Sequence, residues 1–173
     1  MEYHDNEWGY PAHDDRLLFE YLVLDSAQAG LSWLGVLMKR EGYRRVTNNF
    51  DAEFVARYTQ EDLDRLAQDA GIIRNRAKIR TMVTNARTFL AVQEEFGSFD
   101  SYVWRFVDGA PLVNHFDDLS QIPAVAPVAE TLSRDLCGRG FKFFGPTIAY
   151  AFMQGAGLVN DHLVDCFRRA EKA

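Results

Sequence analysis

The sequence predicts an all-α protein. Three observations lead there: apolar residues recur at three- and four-residue spacing, capping residues stand ahead of those stripes, and almost nothing alternates with a period of two. At 173 residues, 47% of them hydrophobic, the chain is long enough for one domain with a substantial core. A formal net charge of −6 argues against a protein that grips nucleic acid with its entire surface, while a local basic face stays compatible. No apolar run approaches a membrane span, and the opening MEYHDNEWG is polar and acidic, so no membrane association and a cytoplasmic location are expected. With no export signal, Cys137 and Cys166 read as reduced thiols.

Residues 1 to 13 carry Tyr3, His4, Trp8 and His13 without helical periodicity, which predicts an ordered loop whose aromatic rings pack against something. Asp14 then caps a helix with Leu18, Tyr21, Leu22 and Ala29 on its inward stripe. Asp25 falls on that stripe, so it either borders water or faces a cavity where a carboxylate has work to do. Gly30 ends the helix, and Leu31, Ser32 and Trp33 turn the corner into the run 34–37. Asp51 and Thr59 are successive caps, the second with Asp62 at capping-box spacing ahead of a stripe of Leu63, Leu66, Ala67 and Ala70 that Gly71 stops.

The next turn sets Arg74, Arg76, Lys78 and Arg80 at the head of a helix running on through Leu90. Four cations in seven residues make either a solvated face or a phosphate contact. Ser98 caps a helix with Tyr102, Val103 and Phe106, and residues 108 to 127 read as the longest irregular connection. A helix over about Val128 to Leu136 delivers the chain to Gly140, which with Gly145 brackets a tight hairpin; Pro146 suits the first turn of the helix that follows. Backbone amides of such a hairpin can hold a phosphate, although the feature alone fits an ordinary helix connection better. His162 and Cys166, four apart, are expected on one helical face, where they can offer a metal two ligands; a pair by itself is no site.

Five segments, YHDNEWG (3–9), QAGLSW (28–33), DAGIIRNRAKI (69–79), RGFKFFGPTI (139–148) and GLVNDH (157–162), resemble the bacterial 3-methyladenine DNA glycosylase I family. The resemblance implies a helix-hairpin-helix DNA glycosylase fold in a single domain over 1–173, with that motif at about 136–154. It implies a monomer acting on double-stranded alkylated DNA, releasing 3-methyladenine and leaving an abasic site. By the same resemblance a structural zinc ties the N-terminal segment to the C-terminal helix through His4, His162 and Cys166. The family's fourth ligand, a cysteine, lies upstream of the point where this chain begins, and Cys137 is a poor substitute by position.

Tyr3, Trp8 and Trp33 match family positions lining the pocket that receives an extruded base. Their faces favour a cationic base, by roughly 1–2 kcal/mol per well-placed contact. Asp25 matches a glutamate that contacts the base; aspartate keeps the charge and shortens the reach by about 1.5 Å. It is the expected catalytic residue, orienting the base and stabilising positive charge on the sugar. Asn160 stands where the wider superfamily has its catalytic aspartate. Gly140, Lys142, Gly145 and Thr147 of the hairpin are expected to meet DNA, with Leu31 either a wedge in the emptied stack or a routine corner residue. The alternatives to an enzyme are a non-catalytic alkylation-lesion DNA-binding protein and, third, a helical interaction protein without a DNA role.

Overall fold

In the computed structural model, which describes residues 2–170, the caps read in the sequence start the helices they precede. Asp14 accepts from the Leu17 amide at 2.9 Å and opens α2 (Asp15–Gln28). Every residue from Leu18 to Ala27 is buried, so this helix is the centre of the molecule rather than an amphipathic cover. Gly30, at φ +76°, ends it in the left-handed conformation that glycine adopts without strain. Ser32 then caps α3 (Trp33–Leu37), which leads into α4 (Arg40–Val46). Asp51 caps α5 (Ala52–Ala56), and Thr59 with Asp62 forms the expected capping box on α6 (Gln60–Leu66).

Asn75 accepts from two amides at the start of α7 (Arg76–Phe96), and Ser98 caps α8 (Phe99–Trp104). Prolines open both α9 (Pro127–Arg139) and α10 (Pro146–Gly155), where the missing N–H breaks no helical bond. Helices α7, α8 and α10 pack around α2. The core between them is rich in rings, Phe19, Phe89, Phe99, Phe141, Phe144 and Phe152 all being fully buried.

Several expectations are corrected. Residues Glu2–Asn6 form a short helix, α1, where a loop was expected; five residues are too few to show periodicity. Helix α6 ends at Leu66 rather than at Gly71, which leaves Ala70 exposed beyond it. Within 108–127 the pair Leu112–Val113 (β1) runs parallel to Val159–Asn160 (β2), a small exception to an otherwise helical fold. His162 and Cys166 lie in an irregular turn before α11 (Phe167–Ala170), not on one helix. Met1 and residues 171–173, which belong to the expected 1–173 span, lie outside the described residues.

The N-terminal segment is fastened to the centre. The Gly9 amide donates to the Gly155 carbonyl at 3.3 Å and the Ala12 amide to that of Ala156 at 2.9 Å. Glu7 pairs with Arg40 at 2.6 Å, and Arg40 also bonds the buried Glu20 of α2. Gly157, at φ +73°, lets the chain pass so close that an added Cβ would stand 2.3 Å from the Tyr10 carbonyl carbon. No helix among the described residues is long and apolar enough to cross a membrane.

Candidate functional site

The fastened N-terminal segment roofs a cavity of about 180 Å³, lined by Tyr3, Trp8, Asp25, Gln28, Trp33, Ala151 and Gln154. Four elements build it: α1 and the turn after it, the C-terminal half of α2, the first residue of α3, and α10. Rings from two of those places meet there, Tyr3 and Trp8 from the first and Trp33 from the third. Tyr3 and Trp33 stand 5.3 Å apart at 51°, and the Trp33 Nε1–H is buried with no hydrogen-bond partner among the described residues. Asp25 is 5% exposed and accepts no hydrogen bond from any described residue, so burial alone pushes its carboxyl well above the usual carboxylate range. Burial also pushes the Tyr3 hydroxyl up, with the Asp25 carboxylate adding to it. An uncharged ligand gains little from such a carboxylate, whereas a cation entering beside it restores the charge that burial opposes.

Tyr3 and Trp8 are a shared wall. On their other side lies a second, apolar hollow of about 410 Å³ that reaches His4, Leu119, Ile122, His162 and Cys166. There the Cys166 Sγ stands 3.7 Å from His4 Nε2 and 3.6 Å from His162 Nδ1, and the three ligand atoms lie within 4.8 Å of one another. Two ligands of a tetrahedral zinc, one sulfur and one nitrogen, stand ~3.6 Å apart given the usual Zn–S and Zn–N lengths. His4 further turns its Nδ1 to Asp5 Oδ1 at 2.8 Å, the carboxylate support that metal-bound histidines commonly have. The three side chains are spaced as ligands of one zinc ion would be.

A family model described as methyladenine glycosylase matches residues 1–169. The chain belongs to the methyladenine glycosylase family. It is 50% identical over 166 residues to "DNA-3-methyladenine glycosylase 1" of Escherichia coli (strain K12), covering 96% of this chain and 89% of that protein. With "DNA-3-methyladenine glycosylase" of Haemophilus influenzae it shares 46% identity over 96% of this chain and 90% of the relative. Its fold matches, at a TM-score of 0.95 and 38% identity, a solved variant of 3-methyladenine DNA glycosylase I in complex with 3-methyladenine; the match covers 97% of this chain and 90% of the other.

Within this family member, the four residues expected to meet a base (Tyr3, Trp8, Asp25 and Trp33) do share one hollow. The hairpin is also built, but differently from the expectation. Gly140 takes φ +120°, as a tight turn requires, whereas Gly145 sits at φ −67°, a value open to any residue, as the N-cap of α10. The second left-handed position is Phe143, at φ +52°, with its ring exposed. It is held there from both sides. Asn85 accepts from the Lys142 amide at 2.8 Å and donates to the Lys142 carbonyl at 3.0 Å, and Ser133 donates to the Phe144 carbonyl at 2.7 Å. Lys142 and Thr147 are exposed, and Leu31 is 43% exposed at its corner.

Of the four cations after Gly71, Lys78 turns inward. Its Nζ donates to the Ala27 and Ala29 carbonyls at 2.7 and 2.6 Å, capping the end of α2 that carries Asp25, and burial lowers its pKa. Arg76 pairs with Asp64 at 2.6 Å. Asn160 lies on β2, its side chain accepting from the His162 amide at 3.2 Å, and it does not line the cavity. Sequence reasoning missed Gln28 and Gln154 on the cavity wall, and the buried Asp161 behind Gln154. The motif GLVNDH contained Asp161, but its partners come from positions 114, 150 and 154, which no local pattern links.

Proposed function

We propose that this protein is a monofunctional DNA-3-methyladenine glycosylase, hydrolysing the N-glycosyl bond of 3-methyladenine in alkylated double-stranded DNA as the first step of base excision repair. One observation carries the reading: Tyr3, Trp8, Asp25 and Trp33, drawn from three separate stretches of the sequence, line one cavity. A glycosidic bond inside a duplex is out of reach, so the nucleotide swings out and its base enters the cavity. The rings there stack best on an electron-poor, positively charged base. Asp25 adds selectivity, since a charge pair about 4 Å apart in a protein-like medium gains about 4 kcal/mol that neutral adenine cannot claim.

Bond breaking sends the electron pair to the base, which leaves neutral, while the sugar gains positive charge that the Asp25 carboxylate stabilises. Water adds to the anomeric carbon and loses a proton, leaving an abasic site. The cationic base is already a good leaving group, so strong activation of water is unnecessary. In this reading the single helical domain binds DNA as a monomer through the hairpin within 136–154, with Gly140, Lys142, Gly145 and Thr147 at phosphates and Leu31 in the emptied stack. His4, His162 and Cys166 hold a zinc that supplies no chemistry to the reaction and fastens the roof. A further ligand completes the set.

The test is release of free 3-methyladenine from methylated duplex DNA. Release is expected from the unaltered protein, reduced about a hundredfold or more in Trp33→Ala and in Asp25→Asn. Tight lesion binding with no release at any protein concentration supports instead a non-catalytic lesion binder, for which the shorter Asp25 is the motivating feature.

A further inference from the structure

We infer that Gln154 reads the donor pattern of the bound base, its amide oriented by Asp161 so that the cavity prefers a purine with an exocyclic amine over one with a carbonyl there. The inference rests on the proposal that the cavity takes a methylated purine. Asp161 is 1% exposed and stands outside the cavity, where its carboxylate can only accept hydrogen bonds. It receives three: Asn114 Nδ2 on Oδ1 at 2.7 Å, and the Tyr150 hydroxyl and Gln154 Nε2 on Oδ2 at 2.6 and 2.8 Å. An amide meeting such an oxygen has one sensible orientation, with its nitrogen toward the carboxylate. The Gln154 carbonyl oxygen is then the end left over, and no described residue donates to it.

Gln154 lines the cavity together with Trp33 and Asp25, so its unpaired carbonyl oxygen and the Asp25 carboxylate are the acceptors available to the ligand. Two acceptors welcome the amino group of a methyladenine and repel the carbonyl oxygen of a methylguanine, whose lone pairs would meet theirs. The device is rigid for a reason visible in the fold. Asn114 follows β1, Tyr150 and Gln154 lie one turn apart on α10, and Asp161 follows β2, so the small parallel strand pair and α10 together fix the carboxylate. Asp161 is thus a positioning residue, acting on the base through Gln154.

The experiment compares binding of free 3-methyladenine and free 3-methylguanine to the purified protein by quenching of tryptophan fluorescence, with thermal melting as a check on folding. In the unaltered protein 3-methyladenine is expected to bind at least tenfold tighter. Gln154→Met, similar in size but without the acceptor, is expected to lose roughly tenfold in 3-methyladenine affinity, with 3-methylguanine changed less than twofold. Asp161→Asn removes the enforced orientation and is expected to reduce the preference, with the double variant no worse than Gln154→Met alone. A merely structural role for Asp161 weakens both bases equally and adds to Gln154→Met.

An unchanged preference in Gln154→Met overturns the inference while leaving the glycosylase reading intact. Failure of the unaltered protein to bind 3-methyladenine, together with no base release, overturns both. If neither variant folds, 3-methylhypoxanthine, which has a carbonyl in place of the amine, serves on the unaltered protein: affinity within twofold of that for 3-methyladenine overturns the inference, and a tenfold deficit supports it.

Discussion

Asp25 is the residue on which stability and activity pull apart. A carboxylate buried in α2 costs free energy whenever it is charged, and nothing among the described residues donates to it. Its folded-state pKa lies well above the free value of 3.8, so between those two values the folded chain keeps a proton that the unfolded chain has lost. The group's contribution to stability is therefore fully present below the free value of 3.8 and declines as pH rises toward the raised pKa. Asp25→Asn never ionises. It is expected to lose base release and yet melt about 2–4 °C higher at neutral pH, the shift that roughly 1 kcal/mol gives in a chain of this size. Equal melting temperatures across neutral pH would show that the charge is not buried in solution. Its inward position was legible from the stripe of α2, and a carboxylate on such a stripe signals a site. Gln154 and Asp161 were not legible, because a glutamine on a helix face and a carboxylate beside a strand acquire meaning only once the fold brings them within 2.8 Å.

Among the elements, the caps were the most readable features, since each depends on contacts two or three residues away. Asp14, Asp51, Thr59 and Ser98 all accept the amide that their spacing predicts, and Ser32, read only as part of a corner, caps α3 as well. Short elements without such a cap were not readable: α1, the β1–β2 pair and the turn holding His162 and Cys166 take their shape from distant partners. The hairpin shows both cases. Its glycines and proline announced a turn, but beside Gly140 the second left-handed position falls on Phe143 rather than Gly145, where Asn85 and Ser133 clamp the residues on either side of it. Asn85 is 3% exposed and comes from the middle of α7. Asn85→Ala leaves the Lys142 amide and carbonyl without this partner, at a cost of about 1–3 kcal/mol. The expected signature is selective: affinity for undamaged duplex DNA falls severalfold as the hairpin loosens, while binding of free 3-methyladenine, which involves only the cavity, is unchanged. Equal loss of both would place Asn85 in general stability rather than in the hairpin.

At the scale of the whole molecule, the site is closed by joining the two ends of the chain. The aromatic wall formed by Tyr3 and Trp8 belongs to the N-terminal segment, and its back rests on residues near the other end: Trp8 meets the His162 ring edge-on at 4.7 Å and lies face-to-face with His4 at 5.9 Å. Backbone bonds to Gly155 and Ala156 and the Glu7–Arg40–Glu20 ion network hold the same segment from α10, α4 and α2. A zinc on His4, His162 and Cys166 would therefore brace the cavity from behind rather than take part in it. Metal bound only to the folded state at a hundred times its dissociation constant adds about 2.7 kcal/mol, several degrees of melting temperature here. Purified protein is expected to carry close to one zinc per chain by elemental analysis, to melt several degrees lower after chelation, and to recover on adding zinc back. His162→Ala is expected to abolish binding and recovery together. Because the rings flanking the metal also line the cavity, chelation should change the tryptophan emission and weaken 3-methyladenine binding. A fully metal-free protein with undiminished base affinity would mean that the ion network and the backbone bonds hold the roof unaided.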